Sequence, residues 1–331
     1  MTIRIAVPQG VIDRAPEAFA QAAEDGIECL IAPPGDEAVL AAFIREHHLR
    51  YVLLGGQPFT GPLYDALPPG GVLARFGVGY DGLDLAKATQ RGLYCTTTPG
   101  TLHVSVAEHA MTLLLAGARQ LTQLNAEMRD GRWGQLVATE VHRKTLAIVG
   151  CGAIGSALAN IASRGFAMRV LGIEVAELDV EAHCRDHGYA AIVRRWEDAV
   201  PQADFVSLHV PNLPATQHMV NAQRLAQMQP HAWLVNTARG AVVDELALYD
   251  ALANGAIGGA ALDVYEHEPY QPVQPDKDLR ALPNVIMTPH VASATHDACA
   301  RMAARALQNI LLAERGAYDQ MDLVNPEVLN R

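Results

Sequence analysis

Short apolar runs recur along the chain at residues 3–7, 27–31, 51–54, 72–76 and 93–97, each of strand length and too brief for a helix. Helical patterns separate them around residues 15–24, 37–47 and 85–91. Alternation of this kind predicts a parallel sheet with helices on both faces. Pro99 and Gly100 end the fifth run and mark the first crossing between domains. A strongly apolar helix over 105–121 and a polar loop containing Trp133 follow. A helix this apolar is either deeply buried or shared with a second copy of the chain. Apolar runs then resume at 146–149, 170–173, 205–208, 232–236, 260–262 and 285–287, before a last helix over 295–315 carries the chain back. The expected architecture is α/β, with two doubly wound parallel-sheet domains: 1–99 with 295–331, and an inserted domain over 100–294.

One stretch narrows the chemistry. After the run 146–149, Gly150, Cys151, Gly152, Ala153, Ile154 and Gly155 spell G-x-G-x-x-G at the mouth of a helix, and Glu174 ends the next apolar run. Gly150 permits the tight turn, Gly152 lets the backbone approach a pyrophosphate, and Gly155 lets helix pack on strand. Free N–H groups at the helix start attract phosphate, and a carboxylate at 174 would accept from ribose hydroxyls. Glycine-rich turns also occur for packing alone, but strand, helix and terminal acid in register favour a dinucleotide.

Composition removes other classes. The chain has 331 residues, half of them apolar, which is enough for about two domains. With 25 Lys and Arg against 36 Asp and Glu, the net charge is −11 and no basic run is visible, so nucleic acid is not an expected partner. No apolar segment is long enough to span a bilayer, and the opening MTIRIAVPQG reads as a strand rather than a signal peptide, so no membrane partner is expected. Five scattered cysteines, Cys29, Cys95, Cys151, Cys184 and Cys299, argue for a reducing, cytoplasmic setting. The cluster His183-Cys184-Arg185-Asp186-His187 reads as a solvated helix face, and no metal is expected.

Open parallel sheets bind ligands beyond the carboxyl ends of their strands. There the chain offers Arg239, in NTARG, as an anion clamp or a surface salt-bridge partner. It offers Asp263 and Glu268, in LDVYEHEP, with Glu266 as a solvated neighbour. Last comes His290, in TPH, either a general acid/base or a structural histidine. Together, Arg, Glu and His downstream of a dinucleotide turn supply a clamp, an orienting carboxylate and a proton donor, the parts that carbonyl reduction by hydride needs.

With these motifs, and with RFGVGYDGLDLAKATQRGL, VAEHAMTLLLAGAR, SLHVP, VNTARGAVVDE, ALDVYEHEP and TPHVASAT, nearly the whole chain resembles the D-isomer-specific 2-hydroxyacid dehydrogenases. The resemblance implies a Rossmann NAD-binding domain inserted into a flavodoxin-like substrate domain, with catalytic residues Arg239, Glu268 and His290. It implies NAD contacts from Gly150, Gly152, Ala153, Ile154, Gly155, Glu174, His209, Val210, Pro211, Thr216, Thr237, Ala238, Arg239, Asp263 and His290, with Asp263 meeting the nicotinamide carboxamide. Substrate falls to Gly55, the amides of Val78 and Gly79, Arg239 and His290. A small D-2-hydroxy or 2-keto acid such as glyoxylate, hydroxypyruvate or pyruvate is the implied substrate, and a homodimer formed through the nucleotide domain is the implied assembly. Gly55-Gly56-Gln57-Pro58 lacks the basic residue that phosphate-binding relatives place there, which disfavours a phosphorylated substrate. An NAD-sensing corepressor and a phosphite-type dehydrogenase are the alternatives. The segment Val175-Ala176-Glu177 brings no arginine to a 2′-phosphate, so NAD is expected over NADP, and the two crossings predict a hinged cleft.

Overall fold

A computed structural model describes residues 2–330 as two units, 2–102 with 294–330 and 103–293. In the first unit, β1 (Ile3–Pro8), β2 (Ile27–Ala32), β3 (Tyr51–Leu54), β4 (Val72–Arg75) and β5 (Tyr94–Thr96) form a parallel sheet in the order β2-β1-β3-β4-β5. That is the flavodoxin-like order. Burial is total along β3 and β4, as expected of a sheet covered on both faces. The C-terminal helix His296–Glu314 is capped by the Thr295 hydroxyl, which accepts from Ala298 N–H. The chain then runs beside β5. There Asn325, wholly buried, accepts from Cys95 N–H and donates to the Leu93 carbonyl and the Thr89 hydroxyl.

In the second unit, β6 (Thr145–Val149), β7 (Arg169–Ile173), β8 (Ala191–Val193), β9 (Phe205–Leu208), β10 (Trp233–Asn236), β11 (Gly259–Leu262) and β12 (Val285–Met287) are also parallel. Their order is β12-β11-β10-β9-β6-β7-β8. Sequence order reverses between β6 and β9, which opens the crevice of a Rossmann sheet at their carboxyl ends. The edge strand β8 escapes a reading of apolar runs because only Ala-Ile-Val pairs with β7 and none of the three is fully buried.

The helix expected over 105–121 is corrected. It spans His103–Ala118 and buries nine of its residues within its own unit, against β10, β11 and the helix Ala153–Asn160. Gly117 lies on the Trp233 ring, where a Cβ would come within 2.5 Å of Cε3. Gln120 then turns left-handed at φ 49°, and a separate helix, Leu121–Arg129, buries none of its residues. The first of these helices therefore owes its apolar character to intramolecular burial, and a second copy is not needed to explain it.

Candidate active site

The glycine turn forms as its sequence requires. Gly150 has φ 95°, and a Cβ there would stand 2.5 Å from the His209 carbonyl, so the turn closes against the end of β9 only with glycine. A Cβ on Gly155 would run into the Gly150 carbonyl, whereas one on Gly152 would meet nothing within 4 Å. Open space thus faces the residue expected to meet a pyrophosphate. No side chain caps the helix that Gly152 starts, so its first amides remain available to an anion. Glu174 is anchored by the turn it serves: Oε2 accepts from Cys151 N–H at 2.9 Å, and Oε1 from Val175 and Ala176 N–H at 2.8 and 2.9 Å.

Two further cofactor candidates carry buried polar atoms with no protein partner, His209 Nδ1 and Thr237 Oγ1. Desolvation lowers the His209 pKa to about 4, so the ring is neutral, and its Nε2 meets Ser207 Oγ at 2.8 Å. Orphaned polar atoms at the ends of β9 and β10 are what a dinucleotide bound across the switch point would satisfy. The residues present therefore fit the cofactor. Thr216 is placed differently: its hydroxyl donates to Pro211 O at 2.6 Å and accepts from Leu213 N–H, closing the loop that holds Val210 and Pro211. Ala238 N–H donates to Asn236 Oδ1 while Asn236 Nδ2 donates to Arg239 O, a clamp on the NTAR turn that gives Asn236 a role the sequence did not show. Gly240 packs so closely on the Tyr265 backbone that any Cβ would collide with it, which fixes this turn against the one carrying Glu268.

The structure brings His290 and Glu268 together. His290 Nδ1 lies 2.6 Å from Glu268 Oε2, and Glu268 Oε1 accepts from Tyr265 N–H at 3.1 Å. The imidazole is 45% exposed, with Nε2 turned away from its carboxylate partner. His290 adopts φ 52°, a left-handed backbone unusual outside glycine and frequent at functional sites. Asp263 holds it there. The His290 amide donates to Asp263 O, while the carboxylate accepts from Thr288 Oγ1 at 2.5 Å, Val291 N–H at 2.9 Å and Ala292 N–H at 2.8 Å. His109 Nε2 stands 3.5 Å from the same carboxylate. With zero exposure, the Asp263 side chain accepts from protein donors and anchors the His290 loop. Burial opposes its ionisation, yet the hydrogen bonds from His109, Thr288 and the two amides win and hold its pKa below the ordinary value.

Two readings of polar residues change. Glu266 is not merely solvated: it meets His218 Nε2 at 3.1 Å and accepts from Glu245 N–H at 3.0 Å. His183 is not on a solvated face, because its Nε2 lies 2.9 Å from Cys151 O and 3.1 Å from Ser156 Oγ, beneath the glycine turn. An arginine missed in sequence, Arg194, follows β8 and donates to the carbonyls of Val175 and Ala176, beside Glu174. Only the β7–β8 pairing reveals it.

In the first unit the substrate candidates lie on two loops, after β3 and after β4. Phe59 N–H donates to Gly82 O at 2.7 Å and joins them. Among the described residues the amides of Val78 and Gly79 meet no protein acceptor, and Gly55 lies at the base of the first loop.

Residues 111–292 match the family model of the D-isomer specific 2-hydroxyacid dehydrogenase NAD binding domain, more than half of the chain. The chain belongs to the D-isomer-specific 2-hydroxyacid dehydrogenases. It is 40% identical over 305 residues to a glyoxylate reductase of Korarchaeum cryptofilum, covering 90% of this chain and 88% of that protein. The dehydrogenase also superposes on a Thermus thermophilus protein with a TM-score of 0.80 at 33% identity, over 95% of this chain and 97% of that one. An NADPH-dependent glyoxylate/hydroxypyruvate reductase of Sinorhizobium meliloti gives 0.79 at 32% identity, over 94% of each chain. The enzyme is thus a dehydrogenase of 2-hydroxy acids, an oxidoreductase acting on CH–OH with NAD as cofactor.

Proposed function

We propose that this dehydrogenase interconverts a small, unphosphorylated 2-keto acid of the glyoxylate, hydroxypyruvate or pyruvate type and its D-2-hydroxy acid. The observation that carries the reading is the His290–Glu268 pair at 2.6 Å on a loop that Asp263 fixes, in the same unit as Arg239 and the uncapped glycine turn. NAD, when bound, supplies or accepts the hydride. In reduction, protonated His290 gives the proton on Nε2 to the carbonyl oxygen as negative charge develops there, and Glu268 holds the Nδ1–H and balances the imidazolium. Arg239 polarises the same oxygen and holds the acid group, with the amides of Val78 and Gly79 as the proposed donors to the carboxylate. In oxidation the neutral ring takes the proton back.

Glyoxylate reductases among the relatives support the substrate class, and the absence of a basic side chain from Gly55-Gly56-Gln57-Pro58 supports an unphosphorylated one. Glu174 supports NAD over NADP, since a 2′-phosphate would meet its carboxylate. All five cysteines are free, which supports a reducing, cytoplasmic setting. Apolar side chains exposed on and after helix Leu121–Arg129 support a homodimer. Incubating the purified protein with NADH and glyoxylate, hydroxypyruvate or pyruvate, while following NADH absorbance, tests the reading. At least one should turn over with kcat/KM above roughly 10⁴ M⁻¹s⁻¹; no turnover of any 2-keto acid would refute it.

A further inference from the structure

Arg75, the last residue of β4, is only 5% exposed, an unusual place for a guanidinium. Burial of such a charge is tolerated when its N–H groups are satisfied, and here three carbonyls satisfy them. Nε donates to Gly79 O at 3.0 Å, one terminal nitrogen to Gln57 O at 2.9 Å, and the other to Gly56 O at 2.5 Å. These acceptors belong to the two loops that carry Gly55, Val78 and Gly79. The loops are also drawn together by Phe59 N–H on Gly82 O and by the parallel bridge Phe59↔Leu83. Gly82 sits where a Cβ would be 3.1 Å from Pro58 Cα, so the two backbones nearly touch. On its other side the loop after β4 is tied by Thr98 N–H to Gly77 O at 2.9 Å.

Each of these ties uses a carbonyl or an outer amide and leaves the amides of Val78 and Gly79 without a protein acceptor. We infer that Arg75 is a positioning residue for the substrate carboxylate: by gripping Gly79 O and the 56–57 carbonyls at once, it fixes the two loops, and with them the Val78 and Gly79 N–H groups that receive the anion. This rests on the reading of the Val78 and Gly79 amides as carboxylate donors. The fork of a guanidinium is required, because three acceptors in different directions must be held by one side chain. Lysine offers a single compact head and cannot span them. A loop pair set in this way loses little entropy on binding the acid, and its loss falls on substrate recognition rather than on proton or hydride transfer.

The test compares Arg75→Lys and Arg75→Met with the wild type, using glyoxylate and glycolaldehyde, the matching aldehyde without a carboxylate. The wild type should prefer glyoxylate strongly in kcat/KM. In the variants the glyoxylate KM should rise by about 10- to 100-fold with kcat changed far less, a cost typical of a misplaced binding group. Glycolaldehyde kinetics and the NADH dissociation constant should stay put, so the preference collapses, with lysine no better than partly restoring it. A folded variant that keeps the wild-type preference, or that loses kcat and KM for both aldehydes alike, overturns the inference while sparing the carboxylate reading. A wild type that treats both aldehydes equally overturns that reading and the inference with it. Should neither Arg75 variant fold, Gly82→Ala displaces Pro58 and the loop whose carbonyls Arg75 grips. A glyoxylate-specific rise in KM then supports the role, and an unchanged KM overturns it.

Discussion

In the proposed mechanism His290 acts from a backbone conformation that its neighbours must enforce, so the residues that matter at this scale are its partners as much as the imidazole. Nδ1 is occupied by Glu268, which makes Nε2 the nitrogen proposed to meet the substrate oxygen. His290→Asn keeps some hydrogen bonding but cannot carry the proton, and kcat should fall about 10²- to 10⁴-fold with NADH affinity little changed. Near-normal turnover in that variant would remove the histidine from the mechanism. The proposed reduction uses the protonated ring and oxidation the neutral one, so pH–rate profiles in the two directions should run in opposite senses. Asp263 gives a separate pH signature. Its folded pKa is depressed, so the stability it adds is fully present above the ordinary carboxylate range and is lost as pH falls through the depressed value. Asp263→Asn sets an amide against the Ala292 N–H and should cost about 1–3 kcal/mol at neutral pH. Denaturant midpoints of the two proteins should converge in acid, and a gap that persists unchanged to the lowest pH would exclude this account. Arg239, Glu268 and His290 stand out as candidates in sequence because strand-end chemistry shows locally. The anchoring role of Asp263 does not, because it depends on four donors that the fold delivers from Thr288, Val291, Ala292 and His109.

At the scale of elements, the apolar runs located eleven of the twelve strands, since strands covered on both faces must be written in unbroken apolar residues. The missing β8 is a short edge strand, and its omission hid Arg194. That omission bears on cofactor choice. Glu174 is locked by three amides of the turn and of its own loop, while Arg194 grips the carbonyls of Val175 and Ala176 and thereby stiffens the same loop from outside. A guanidinium already engaged with two carbonyls offers less to a 2′-phosphate than the nearby carboxylate withholds from it. NAD should therefore exceed NADP in kcat/KM, and Glu174→Ala should narrow the gap by about tenfold or more, the worth of one charge contact. Steady-state kinetics with both cofactors decide; NADP matching NAD in the wild type would show that Arg194 outweighs Glu174.

For the whole molecule the remaining question is where a second copy would bind. Sequence pattern pointed to the helix over 105–121, because apolar residues all around a helix do not distinguish burial in one's own core from burial in a partner. The fold buries nine residues of His103–Ala118 within its own unit and leaves Val104 exposed on it, while further exposed apolar residues come after the left-handed break at Gln120. Leu121 is 58% exposed, Met128 54%, Trp133 80% and Val137 98%, on a short helix with no buried residue and the chain that follows it. An isolated helix of this length is marginal in water, and exposed apolar side chains on such a segment make it the proposed site of self-association. Burying one such side chain contributes about 1.5–3 kcal/mol, so removing a few should dissociate the pair. The wild type should run as a dimer in light scattering coupled to size exclusion, and Leu121→Glu with Trp133→Ser should run as a monomer. Because both residues lie outside His103–Ala118 and the sheet it covers, the monomer should retain its fold by circular dichroism. A monomeric wild type would refute the assembly, and a variant that stays dimeric would move the interface off this segment.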